Sequence, residues 1–155
     1  MHLAQVNIAQ MKGQIQSNVM SDFVANLDEV NTLAESSEGF IWRLKGDENN
    51  ATALRVFDNE FLIINMSVWK DMECLHNIVY TGKHLEIYRR KKEWFHSITN
   101  MHMAMWYIPV GHEPSPDEAK TKLAFINNHG ESPLAFTFKN KFSPEDLNAS
   151  NKELQ

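Results

Sequence analysis

Two segments of this chain, residues 61–69 (FLIINMSVW) and 101–108 (MHMAMWYI), carry large apolar side chains at positions of both parities. Successive side chains of an extended strand leave on opposite faces. Both faces of these strands must therefore be kept dry, whereas an antiparallel sheet with one wet face alternates apolar with polar. Helices can cover one face, and a second subunit is the expected cover for the other. An obligate dimer commonly buries more than roughly 2,000 Å². At about 25 cal/mol per Å², leaving such a sheet wet would be costly.

The other elements follow from period and punctuation. Residues 2–9 alternate weakly, with His2, Ala4, Val6 and Ile8 on one face and Leu3, Gln5, Asn7 and Ala9 on the other. A polar stretch at 10–18 reads as a loop. Phe23, Leu27, Val30 and Ala34 recur at helical spacing over 19–36, with Ser17 or Asn18 as cap. Residues 40–45 read as a strand, 46–50 as a turn and 51–57 as an extended arm. A helix is expected over 70–80, a break at Thr81-Gly82, and a single helix over 83–95. Pro109 closes the strand at 101–108, and Ser115-Pro116 opens a further helix running to Gly130. Residues 133–138 form a short strand or arm. The order strand, helix, strand, strand, helix pair, strand, helix predicts a ferredoxin-like α+β domain over 1–142: an antiparallel sheet with helices on one face and an extra C-terminal helix. The polar stretch 143–155 is expected to fray.

Composition narrows the function. The 155 residues suit one domain with a real core. Four Trp, nine Phe and eight Met suit a dense core or a surface closed against a partner. A net charge of −5 opposes nucleic-acid binding, which calls for a basic excess. The one local basic run, Arg89-Arg90-Lys91-Lys92, reads as a solvated helix flank, with a phosphate or carboxylate clamp as the alternative. No apolar run reaches the ~18 residues of a membrane span. The start of the chain lacks the pattern of a signal peptide, so a cytoplasmic location is expected. The single cysteine, Cys74, excludes an intrachain disulfide and a multi-cysteine zinc site. His84-Leu85-Glu86 is not followed by the Pro-Cys-X-X-Cys of zinc deaminases. No His-Glu-X-X-His, phosphate loop or Gly-X-Ser-X-Gly elbow occurs, and no metal site is expected.

The chemistry-bearing residues lie where strands meet helices. Trp69 ends one strand and His84 lies near the start of a later helix, an order that can bring indole and imidazole to the mouth of one cleft; Trp69 is either a core or strand-end residue or a platform for a substrate. His84 shares a helical face with Ile87 and Tyr88; it is either a packed histidine or a group that moves a proton or ligates. Asn7 and Asn65 sit among apolar neighbours on strands, where a buried amide needs partners. They bond to nearby backbone or orient a ligand. Arg43, mid-strand, pairs with a carboxylate at the sheet edge or anchors an acidic ligand. His102 alternates with Ala104 and Trp106, one face of which would line the cleft. His112, beside Glu113 beyond the strand, is a surface group or lies at a cavity mouth.

Over residues 2–108 the chain resembles the dimeric α+β barrel superfamily, which includes antibiotic-biosynthesis monooxygenases and small haem-degrading monooxygenases. The segment that carries the resemblance runs from Phe61 through Trp69 to Leu75. Residues 106–119 (WYIPVGHEPSPDEA), His129-Gly130 and Ala135-Phe136-Thr137-Phe138 resemble a bacterial branch known as a domain of unknown function. The resemblance implies a homodimer with a cleft between sheet and helices. It also implies that Asn7, Trp69 and His84 serve either a cofactor-free reaction on an aromatic or apolar substrate, or haem. Asn65, Arg43, Tyr88, His102 and Trp106 would complete the binding site. The chain departs from the pattern in the longer stretch between Trp69 and His84, interrupted at Thr81-Gly82. The expected function is a small-molecule-binding, monooxygenase-like protein; the alternative is a non-catalytic binding or dimerisation module.

Overall fold

The computed structural model describes residues 1–46 and 57–153. The expected turn at 46–50 and arm at 51–57 lie, apart from Gly46 and Phe57, outside the described residues. Among the described residues five strands are joined by six α-helices: β1 His2–Met11, α1 Ser21–Glu35, β2 Phe40–Arg43, β3 Leu62–Trp69, α2 Met72–Val79, α3 Gly82–Arg89, α4 Lys91–Trp94, β4 Phe95–His96, β5 Met103–Ile108, α5 Pro116–His129 and α6 Pro144–Glu153. All pairings are antiparallel. β1 is central, with β3 along one side in the register Leu3 to Trp69, Gln5 to Ser67 and Asn7 to Asn65. Along its other side β5 pairs with residues 2–7, and β4 takes up Gln10 and Met11. β2 completes the sheet beyond β3. The fold is ferredoxin-like α+β, as the sequence predicts.

Three local differences have physical causes. β1 runs on to Met11 because β4 offers it a partner there. The helix expected over 83–95 stops at Arg90 (φ −89, ψ 1). The Arg90 guanidinium lies 4.7 Å from the Trp94 ring centre and pairs with both Asp22 and Glu93. Phe95 then turns back into the sheet. The tail expected to fray is helical. Ser143 and Asp146 cap each other reciprocally, Ser143 N donating to Asp146 Oδ2 (2.7 Å) and Asp146 N to Ser143 Oγ (3.3 Å).

The second face of the sheet is covered from within the chain. Ala4, Val6, Ile64, Met66, Val68, Ala104, Trp106 and Ile108 pack against Ala119, Leu123 and Ile126 of α5. This helix starts on Ser115, whose hydroxyl caps Glu118 N, with proline in the first turn. Glu118 then ties it down: Trp106 Nε1 donates to Oε1 (2.8 Å), and His112 Nε2 lies 2.7 Å from Oε2. The sequence reading assigned this cover to a second subunit; α5 supplies it, so the apolar second face does not by itself require a partner.

The helix-bearing face behaves differently. Two apolar clusters sit at its ends. Leu3, Trp69, Leu75, Met105 and Phe136 form one, with Ala34 of α1 against it. Met11, Met20 and Trp94 form the other, with Phe23 of α1 and Ile87 of α3 against it. Helix α1 is thus held at both ends. Leu27 and Val30, on the same face between Phe23 and Ala34, belong to neither cluster, and no residue of α1 is fully buried.

Removing the α5 anchor tests the assignment of the second face. Leu123→Ala should lower unfolding free energy by about 2–4 kcal/mol in urea denaturation. It should also raise dye binding to the newly loosened face.

Candidate functional site

Between the two clusters the helix-facing surface of the sheet turns polar. The β1–β3 register sets Gln5 beside Ser67 and Asn7 beside Asn65. Gln5 Nε2 donates to Asn65 Oδ1 (2.7 Å) and to Ser67 Oγ (2.8 Å), and Trp69 Nε1 donates to Ser67 Oγ (2.8 Å). Gln5 and Ser67 are only 5% and 6% exposed, so these bonds offset a real desolvation cost. Asn65 is exposed and Asn7 half-buried, although both sit on long strands. No hydrogen bond joins the Asn7 amide to another described side chain.

The roof over this strip is α1 together with α3. Lys83 Nζ lies 3.8 Å from Glu29 Oε2, and Arg90 pairs with Asp22, tying the two helices together at two levels. His84 lies one turn before Ile87 on the same side of α3. It is half-buried, with Nδ1 3.2 Å from Val79 O. Burial pushes its imidazole below the usual histidine value, against the smaller opposing effect of the Val79 carbonyl. The ring is therefore held neutral, with Nε2 the nitrogen left to face other groups. An apolar roof over two open amides and a neutral imidazole can hold a flat apolar molecule and orient one polar group on it.

Not all the expected residues gather here. Trp69 is 2% exposed, packed edge-on against Phe40 (5.5 Å between ring centres) and bonded to Ser67. It supports the strip from beneath the apolar cluster and does not stand at a cleft mouth. Arg43, 6% exposed, pairs with Glu35 at the end of α1 (2.6 Å), and this cation draws the Glu35 carboxyl below its ordinary pKa. Tyr88 is exposed, its hydroxyl bonded to Lys91 and its ring under the same ammonium. Trp106 lies on the opposite face of the sheet, beneath α5. His102 is exposed just ahead of β5, its carbonyl accepting from Ile8 N. Sequence reasoning singled out Asn7 and Asn65 and passed over Gln5 and Ser67. The signal was present: polar residues at the inward parity of two otherwise apolar strands.

The trio assigned to haem is broken up by this placement. A haem group needs a flat slot cleared of side chains beside its axial histidine, and the indole expected to line that slot is closed in the core. The residues do not fit haem, and no step is derived through it. No group of three or more His, Cys, Asp or Glu that could hold a metal occurs among the described residues. A separate depression of about 260 Å³ lies between the end of α1 and α2, lined by Ser37, Glu38, Cys74, Asn77, Ile78 and Thr81. Burial and the neighbouring Asp71 push the Cys74 thiol up, the wrong direction for a nucleophile.

Fold and strip together define a small α+β protein with a polar strip on the helix-facing side of its sheet. The chain belongs to the DUF3291 family, a domain of unknown function, whose profile matches residues 2–152. Among solved structures it is similar to SnoaB, a cofactor-independent oxygenase from Streptomyces nogalater, at 14% identity and a TM-score of 0.50, over 70% of this chain and 93% of that one. It is also similar to PA3566 from Pseudomonas aeruginosa, at 11% identity and a TM-score of 0.48, over 70% and 95% of the two chains. The likeness to SnoaB shows the fold, and it agrees with the expected resemblance to antibiotic-biosynthesis-monooxygenase-like proteins. No curated protein matches. Among the described residues no helix is long and apolar enough to cross a membrane.

His84 gives a pH test of its surroundings. Its folded pKa lies below the unfolded value of about 6.5. Below that value the unfolded chain takes up a proton that the folded chain refuses, so stability is present at pH 7.5 and is lost as pH falls toward the folded pKa. Urea midpoints at pH 7.5 and 5.5 should differ more for the wild type than for His84→Gln. Equal differences would mean that the imidazole is solvated.

Proposed function

We propose that the cleft under α1 binds a small, flat, largely apolar molecule, and that the protein oxidises it with dioxygen without a cofactor, as a monooxygenase-like enzyme. One observation carries the binding half. Helix α1 is packed at Phe23 and at Ala34 but not at Leu27 and Val30, directly along the stretch where the sheet offers Asn7 and Asn65. A frame of this kind leaves room for a ring between helix and sheet while the ends hold the helix in place. In this reading Asn7 and Asn65 bind the polar substituent, and neutral His84 accepts the proton of a substrate hydroxyl. The electron-rich ring then reduces dioxygen directly: the O–O bond breaks, one oxygen replaces hydrogen on a ring carbon, the other leaves as water, and the phenol ends as a quinone (phenol + O2 → quinone + H2O). The protein contributes positioning and exclusion of water. A homodimer fits the same reading: Ile8, Trp42 and Leu44 are only partly buried at the margin of the second face, and Ile41 on β2 is 46% exposed.

A second reading is a non-catalytic binding module. The enclosure of Trp69, which removes an aromatic group from the reacting volume, favours it.

Oxygen uptake with a panel of polycyclic phenols and hydroquinones separates the two. Turnover reduced about 100-fold by Asn65→Ala or His84→Ala supports the enzyme. Saturable binding of the same compounds with no uptake supports the module. Leu27→Trp, which fills the space beneath α1 from a half-exposed position, should abolish binding with little change in thermal midpoint. Undiminished binding by that variant would place the ligand elsewhere.

A further inference from the structure

The hydrogen bonds beneath the cleft have a direction. An indole nitrogen can only donate, so Ser67 Oγ accepts from Trp69. Gln5 Nε2 spends its two hydrogens on Ser67 Oγ and Asn65 Oδ1. The oxygen of Asn65 is thereby turned inward, and its exposed N–H₂ is left toward the cleft. One alternative keeps the same heavy-atom positions. If the Ser67 hydroxyl donated to Gln5, both amides would turn over and Asn65 would offer its oxygen instead. That arrangement leaves the two amide hydrogens of Gln5, a residue 5% exposed, without any described acceptor. The arrangement observed leaves only one hydroxyl hydrogen and one amide oxygen unpaired. With Gln5 so little exposed, two N–H groups without an acceptor are the rarer and costlier outcome.

We propose that Gln5 is a positioning residue that turns the Asn65 amide donor-outward, and that the cleft therefore selects flat apolar ligands carrying a carbonyl-type acceptor oxygen over those carrying a donor. The proposal rests on the cleft reading above and adds the polarity of its ligand. No cationic side chain belongs to the strip, and His84 is neutral, so the recognised oxygen needs no full charge. Gln5 lies behind Asn65 and does not touch the ligand. Its effect is on preference and not on the space available.

Three tricyclic probes of nearly one shape test this. Fluorenone offers an acceptor only, carbazole a donor only, and fluorene neither. By equilibrium dialysis, wild type should bind fluorenone about fivefold more tightly than carbazole, the ratio expected of one neutral hydrogen bond. In Gln5→Leu the ratio should fall to near one with fluorene affinity retained. In Gln5→Glu the introduced carboxylate can only accept when ionised; it forces Asn65 to donate inward, and the preference should reverse to carbazole. Asn65→Asp, at an exposed position where folding is not at risk, should also lose the preference for fluorenone. Side-chain amide NMR of the wild type provides a reading without ligand: the Gln5 N–H₂ should exchange slowly with solvent and that of Asn65 quickly. Fluorene binding with no preference between fluorenone and carbazole, or a preference untouched by Gln5→Leu, overturns this proposal and leaves the cleft standing. Failure of all three probes to bind removes the cleft reading, and this proposal with it.

Discussion

Water has to be kept from two faces of one sheet, and the rest of the structure is arranged around that requirement. Along β1, Leu3, Ala4, Gln5 and Val6 are all buried, so over this stretch neither side of the central strand is available to solvent. The chain meets the demand with covers of different tightness. Helix α5 is pressed onto the second face by Ala119, Leu123 and Ile126 and secured by the bond from Trp106 to Glu118. On the other face α1 and α3 are tied to each other and to the apolar clusters at its ends, and Leu27 and Val30 between those ends join neither cluster. One cover is thus packed along its length and the other chiefly at its ends.

The looseness coincides with the polar strip, and there is a physical link between them. A fully apolar interior could close over by side-chain interdigitation. Amides on the strands resist that closure, because sealing Asn7 and Asn65 without partners would cost more than the hydrocarbon contacts return. Gln5 and Ser67, deeper in, bond to each other, and Asn65 and the Trp69 indole join the same network. The same bonds explain why Trp69 is a supporting residue in this chain. Its donor is committed to Ser67 and its ring to Phe40, so strand-end position alone did not bring it to the open part of the strip.

Much of this was legible in the residues. The parity of 2–9 and 61–69 already set Gln5 and Asn7 on one face and Asn65 and Ser67 on one face, and the ferredoxin-like order followed from the alternation of periods. Other features were not. The stop at Arg90 depends on Asp22, far away in the chain, and on Trp94 beneath its guanidinium. The C-terminal helix depends on a two-residue cap whose effect outweighs a polar composition. Tyr88 shares the helical spacing of His84 but is drawn outward by Lys91, and Trp106 shares a strand with Met105 but faces the other way.

By itself, then, the sequence determined four of the five described strands and most of the helices, the need to dry both sides of the sheet, and the two asparagines worth watching, because period and polarity are local properties of a chain. Only the tertiary structure decided which cover lies on which face, that α5 could do the work assigned to a second copy, and which of the aromatic and imidazole side chains meet. Those are outcomes of register and of contacts between residues distant in the chain, and local spacing carries no record of them.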